Sequence, residues 1–256
     1  MNLWTHTLGR GPDLVLLHGW GLNSDIWGHF AEALAASFRV TLIDLPGLGR
    51  SETLQDMTLP AVTAALLTAA PAGSAHWLGW SLGGQLALAV AEQAPERVLS
   101  LSLIAANPCF VCRDDWSCGM EQSQFNAFAE SLEQDVRKTL NRFAVLQTQG
   151  SRAARAELKQ LKAAMNPVGP EGLAAALQLL KSDLRPALAG LNCPAQLILG
   201  AEDPLVPRAM ASHAQALNPQ LCVQVLEQSA HLPFISHEEQ VLNRVAALPR
   251  QEQTLG

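Results

Sequence analysis

At 256 residues and 48% hydrophobic content, the chain can bury a full core and is expected to form one domain, with room for an insertion. A net charge of −6 disfavours general nucleic-acid binding, and no apolar run approaches the roughly 18 residues that would span a bilayer. The first residues, MNLWTHTLGRGPD, lack a charged start followed by an apolar signal core, so a cytoplasmic location is the expected default; separately, a monomer is expected.

Short apolar runs recur along the chain at 13–19 (DLVLLHG), 38–44 (FRVTLID), 75–80 (AHWLGW), 98–106 (VLSLSLIAA), 195–200 (AQLILG) and 221–227 (LCVQVLE). They read as strands of a mostly parallel sheet buried on both faces. Helical patterns at about 24–36, 58–70, 82–93, 207–217 and 236–247 alternate with them, which predicts an α/β fold. The alternation breaks between 108 and 184, where helical stretches such as QFNAFAESLEQDVRKTLNRFAVLQ and SRAARAELKQLKAAM stand without a convincing strand. We expect residues 1–107 and 185–256 to form the core and 108–184 to be an all-helical lid over the strand ends. The five cysteines, at 109, 112, 118, 193 and 222, are odd in number and scattered, so they are read as free thiols. Cys109, Cys112 and Cys118 have no fourth Cys or His at finger spacing, and no metal or cofactor is expected.

Four segments carry chemistry. HGWG at 18–21 follows the first predicted strand, and its backbone amides can serve an oxyanion; those of Trp20 and Leu82 are the expected donors. DLPGLGRS, Asp44 to Ser51, reads as a turn in which Asp44 is structural. WLGWSLGG places Ser81 between a strand and a helix in the pattern G-x-S-x-G, with Gly79 and Gly83 permitting close approach of neighbouring segments. A serine hydroxyl needs a base to take its proton and an acid to orient that base. Further along, GAEDPLVP offers Glu202 and Asp203 as candidate acids, and SAHLPFISH offers His231 as base, with His237 more suited to a helix start. His18 belongs near the site without being the base, while His213 falls inside a predicted helix and His6, His29 and His76 precede the serine.

Charge is unevenly spread. Between Arg137 and Lys162 lie seven of the 17 Lys and Arg residues but one of the 23 Asp and Glu residues, Glu157. Lys138 and Arg142 are spaced i, i+4, as are Arg155 and Lys159, so each pair shares a helix face. Such a face suits an acidic partner.

The motifs HGWG, DLPGLGRS, GWSLGG, GAEDPLVP and SAHLPF, in this order, resemble the α/β-hydrolase superfamily over nearly the whole chain. That resemblance implies the order serine, acid, histidine and prefers Asp203 over Glu202, the acid lying third after the strand glycine. The narrower set LVLLHGWGLN, LIDLPGLGRS, PERV, NPCF, RDDW, RFAVLQTQG, LVPR and HLPFISH is similar to the pimeloyl-[acyl-carrier protein] methyl ester carboxylesterase family of biotin synthesis. What this resemblance implies is hydrolysis of a methyl ester at the far end of a pimeloyl chain borne by acyl carrier protein. It makes Ser81 the nucleophile, His231 base and then acid, Asp203 the orienting carboxylate, and Trp20 with Leu82 the oxyanion donors. It also implies an acyl pocket lined by Phe143, Ala144, Val145, Leu146 and Gln147, and carrier-protein docking on Lys138, Arg142, Arg155 and Lys159. Members of that family carry arginine at all four docking positions, so lysine at 138 and 159 keeps the charge but loses bidentate contact. A broad short-chain esterase, another lyase-type chemistry on this fold and a non-catalytic binding module are the alternatives; dehalogenases are excluded because they need an aspartate where Ser81 stands.

Overall fold

The computed structural model describes residues 3–165 and 169–251. Seven strands form one sheet in the order β1-β3-β2-β4-β5-β6-β7: β1 Thr5–Leu8, β2 Asp13–Leu17, β3 Arg39–Ile43, β4 Ala75–Trp80, β5 Val98–Ile104, β6 Ala195–Gly200 and β7 Cys222–Leu226. All neighbours are parallel except β1, which runs antiparallel to β3 with Thr5 opposite Ile43. The sequence reading missed β1, because a four-residue, largely exposed edge strand carries no buried apolar run. The other six strands lie where the apolar runs predicted them.

Alternation along the strands splits the core between the two sheet faces. Val15, Leu17, Trp77, Leu101, Leu103 and Leu197 point to one side, beneath α2 Leu59–Ala69, α3 Leu82–Gln93, α8 Arg185–Ala189 and α9 Met210–Leu217. Leu14, Leu16, Leu78, Trp80, Ile104 and Ile198 point to the other, beneath α1 Gly28–Leu34 and α11 Glu238–Gln251, which follows the short α10 Pro233–Ser236. Among the described residues no helix is long and apolar enough to cross a membrane.

The segment between β5 and β6 carries four helices ahead of α8: α4 Gln122–Gln134, α5 Val136–Gln147, α6 Ala154–Ala164 and α7 Pro170–Leu179. Asp135 caps α5, its carboxylate accepting from Lys138 N at 2.9 Å. Residues 108–121 depart from the all-helical expectation. Here Val111 pairs with Met120 and Arg113 with Trp116 in isolated bridges, beginning at Pro108, which has no amide to give a helix. The Trp116 indole donates to Cys109 O at 2.9 Å, closing this stretch on itself.

Candidate active site

Ser81 stands between β4 and α3 with φ 56° and ψ −120°, a backbone conformation that L residues avoid. Its amide donates to Ile104 O at 2.9 Å, and its carbonyl accepts from Gly84 N at 2.9 Å, so both neighbours of the turn hold it. The glycines explain how the turn fits. A Cβ at Gly79 would run into Gly83 O, and one at Gly83 would run into Leu17 O and His18 O, so α3 can cross this close to β4 and β2 only without side chains there.

The base and acid come together on the loops after β7 and β6. His231 Nδ1 donates to Asp203 Oδ2 at 2.7 Å, and both side chains are fully buried. Asp203 Oδ1 accepts from the amides of Leu205 and Val206 at 2.8 and 3.1 Å, so the loop backbone aims the carboxylate. Glu202, the alternative acid, is exposed. His231 Nε2 is buried with no hydrogen-bond partner, and the Ser81 hydroxyl is not bonded to it in this structure. The two are nevertheless tied through Trp80, the residue before Ser81: its indole donates to His231 O at 2.7 Å, and the rings lie 5.5 Å apart. From the lid, Gln147 O accepts the His231 amide at 3.1 Å.

Trp20 follows β2 and is buried against the lid. Its indole donates to Leu173 O of α7 at 2.9 Å, and its ring meets Phe128 of α4 and Phe143 of α5 edge-on at 5.4 and 5.5 Å. Neither the Trp20 nor the Leu82 amide is engaged by a loop, turn or cap acceptor among the described residues, and Leu82 opens α3, where the first amides have no partner within the helix. His18 supports this loop. Its Nε2 accepts from Leu45 N at 2.9 Å, which leaves the proton on Nδ1, 2.8 Å from Gly19 O, and burial lowers its pKa so that the ring stays neutral. Asp44 is buried and accepts from Ser24 N, the Ser24 hydroxyl, Arg50 N and the Arg50 guanidinium, a structural anchor for the two loops.

The remaining candidate residues divide. Phe143 and Leu146 are half-buried and pack on the same apolar cluster as Trp20. Gln147 is buried and uses its carbonyl on His231. Ala144 belongs instead to the cluster on the other sheet face, with Ile26 and Leu161. Val145, expected among the pocket residues, is 53% exposed. Helical geometry accounts for both: successive residues turn by about 100°, so five consecutive positions cannot share one wall. Val145 falls on the outer face of α5 with Lys138 and Arg142, and Arg155, Lys159 and Lys162 line the outer face of α6. Among the described residues none of these five cations has an ion-pair partner, whereas Arg152 donates to Ser236 O at 2.8 Å. The expected rivals of His231 lie elsewhere: His213 against Trp116, His76 on Ser100, His29 on Glu238 and His6 beside Trp4. His237 caps α11 through its carbonyl and touches Ser236 Oγ at 3.0 Å. No group of three or more His, Cys, Asp or Glu among the described residues could hold a metal ion.

The sequence reading gave no role to Glu157, which is fully buried on α6 and near enough to Asp203 for that charge to push its carboxyl up. As one acid in a basic run, it gave no local signal.

A family model described as the alpha/beta hydrolase fold matches residues 12–238. A pimeloyl-[acyl-carrier protein] methyl ester esterase of Serratia marcescens is 42% identical over 250 residues, covering 96% of this chain and 97% of its own. One of the same name from Klebsiella pneumoniae is 40% identical over 255 residues, covering 98% of both. Among solved structures, an esterase from Exiguobacterium antarcticum superposes with a TM-score of 0.86 at 20% identity, covering 97% and 95% of the two chains, and a bromoperoxidase from Bacillus anthracis with 0.87 at 20% and the same coverage; these show the fold alone. With its sheet order, strained serine turn and near full-length relatives, the chain belongs to the α/β-hydrolase fold family and, within it, to the pimeloyl-[acyl-carrier protein] methyl ester esterases.

Proposed function

We propose that this protein is a serine carboxylesterase that releases methanol from pimeloyl-[acyl-carrier protein] methyl ester in the cytoplasm, leaving the free pimeloyl carboxylate on its carrier. The observation that carries the reading is the buried 2.7 Å Asp203–His231 pair, whose free Nε2 lies on the loop held by Trp80 next to Ser81. In the first step the Ser81 hydroxyl attacks the ester carbonyl while His231 Nε2 takes its proton, and Asp203 balances the imidazolium. Negative charge then develops on the carbonyl oxygen, and the Trp20 and Leu82 amides donate to it; the loss of one such donor costs about 3 kcal/mol of barrier. Collapse of the tetrahedral intermediate expels the methoxy group, which leaves as methanol with the proton from His231. Water, deprotonated by the same imidazole, hydrolyses the acyl-enzyme and returns Ser81. The carrier thioester, at the opposite end of the pimeloyl chain, takes no part.

Phe143, Leu146 and Trp20 offer an apolar surface for the acyl methylenes, and the unpaired cations at 138, 142, 155 and 159 offer a basic face for an acidic carrier protein. Of the other lid positions, Val145 is exposed on the outer face of α5 and Ala144 packs in the cluster on the other sheet face. The test is methanol release from the carrier-linked methyl ester by the wild type and by Ser81→Ala. Turnover in the wild type that disappears in the variant supports the reading; turnover that persists in the variant refutes the nucleophile.

A further inference from the structure

Three contacts fasten the lid to the loop that carries His231: Gln147 O takes the His231 amide, Gln228 O takes the Arg152 amide at 2.9 Å, and the Arg152 guanidinium donates to Ser236 O, while Glu157 of α6 lies buried under the turn that bears Ser151 and Arg152. Glu157 has no solvent exposure. Its Oε1 accepts from Ser151 Oγ at 2.8 Å, and Oε2 has no partner. Close by, Ser236 Oγ bonds to Ser229 Oγ at 2.7 Å and to His237 Nδ1 at 3.0 Å.

A carboxyl buried beside another carboxylate is a costly choice for a lid helix, where a glutamine or an aliphatic side chain would fill similar volume without a charge to desolvate. We propose that Glu157 is a positioning residue for the catalytic pair: by holding the Ser151 hydroxyl it fixes the turn whose next residue, Arg152, grips Gln228 O and Ser236 O, and so the loop 228–237 that carries His231. The inference rests on reading Asp203 and His231 as acid and base. Burial pushes the Glu157 carboxyl up, the Ser151 hydroxyl draws it back, the Asp203 charge pushes it further and the Ser236 hydroxyl draws it back, to about 7. Other charged groups nearby are His237 and Arg152; Asp25, on the Ser24–Trp27 turn against α6, is exposed and paired with Arg50, and Glu202 is exposed. Below pH 7 Glu157 is therefore neutral.

The experiment compares wild type, Glu157→Gln and Glu157→Ala on p-nitrophenyl acetate, a small ester that needs no carrier docking. Labelling of Ser81 by a fluorophosphonate counts competent sites in each protein. The Gln variant, whose side-chain carbonyl can still accept from Ser151 Oγ, is expected to keep kcat within about twofold. The Ala variant is expected to lose about tenfold in kcat with KM nearly unchanged, because the base is misplaced while the pocket stands. If the Ala protein fails to fold by circular dichroism, Ser151→Ala, which removes the donor and leaves Glu157 in place, takes its part with the same expectation. A kcat at the wild-type level in the Ala variant that folds overturns the proposal, as does a Gln variant that loses as much as Ala. Absence of labelling in the wild type would instead remove the serine-hydrolase reading beneath it.

Discussion

Ser81 occupies a conformation that favours glycine, so the hydroxyl is held in place at the expense of stability. At φ 56° and ψ −120° a β-carbon is strained by about 1–3 kcal/mol. Replacing Ser81 by Ala keeps the β-carbon and its strain, whereas Gly removes both. At an ordinary position the Gly variant would be the weaker of the two by about 0.5–1 kcal/mol, from the extra backbone entropy of its unfolded chain. Here relief of strain exceeds that entropy, and Ser81→Gly should be more stable than Ser81→Ala by about 1 kcal/mol, which for a chain of this size is roughly 2–4 °C in Tm. Neither variant has a hydroxyl, so the comparison isolates the backbone, and both should lack esterase activity. Urea and thermal unfolding followed by circular dichroism measure the difference. A Gly variant melting below the Ala variant would refute the claim that the turn stores strain.

Other consequences follow from charge. Glu157 keeps its proton up to about pH 7 in the folded protein but loses it near 4.5 when unfolded, so folding binds a proton between those values and stability falls as pH rises through them, by at most about 3 kcal/mol. Glu157→Gln removes this, and its stability advantage should grow from near zero at pH 4 to that figure at pH 8 in urea titrations; a constant difference would contradict the assignment. Asp44 behaves in the opposite sense. Burial pushes its carboxyl up, but the Arg50 and Ser24 hydrogen bonds outweigh it and the net direction is down, so its contribution is present above pH 3.8 and is lost as pH falls below. Asp44→Asn should cost about 3 kcal/mol at pH 7, and the deficit should shrink toward pH 3. Reversing charge with Arg142→Glu and Arg155→Glu together should cut kcat/KM for the carrier-linked ester at least about tenfold at low salt while leaving a small ester within about twofold; equal losses on both would dismiss the docking face.

Periodicity and turn chemistry are local properties of the chain, and they settled much of this protein in advance. Six strands of apolar, β-branched or leucine-rich residues, the helix that begins at Leu82, and the sharp turn between Gly79 and Gly83 could all be read without coordinates, because each depends on residues within a few positions of one another. The edge strand Thr5–Leu8 could not, since its residues are exposed and its pairing with β3 lies more than thirty residues away. The bridged stretch at 108–121 escaped for another reason: its pairings Val111–Met120 and Arg113–Trp116 are short-range but isolated, too brief to set a strand periodicity. Which residues face one another was decided only by the tertiary structure. Asp203 and Glu202 are chemically similar neighbours, and only packing buried one against His231 and left the other in water. Five lid residues from Phe143 to Gln147 look alike as a string, yet the turn of the helix sends Val145 outward and Ala144 to the far core. Glu157 is the extreme case, an ordinary charge in a basic run until folding removes its water and sets it beside the catalytic carboxylate. Sequence specifies backbone and chemistry position by position, while burial and proximity are properties of the assembled fold.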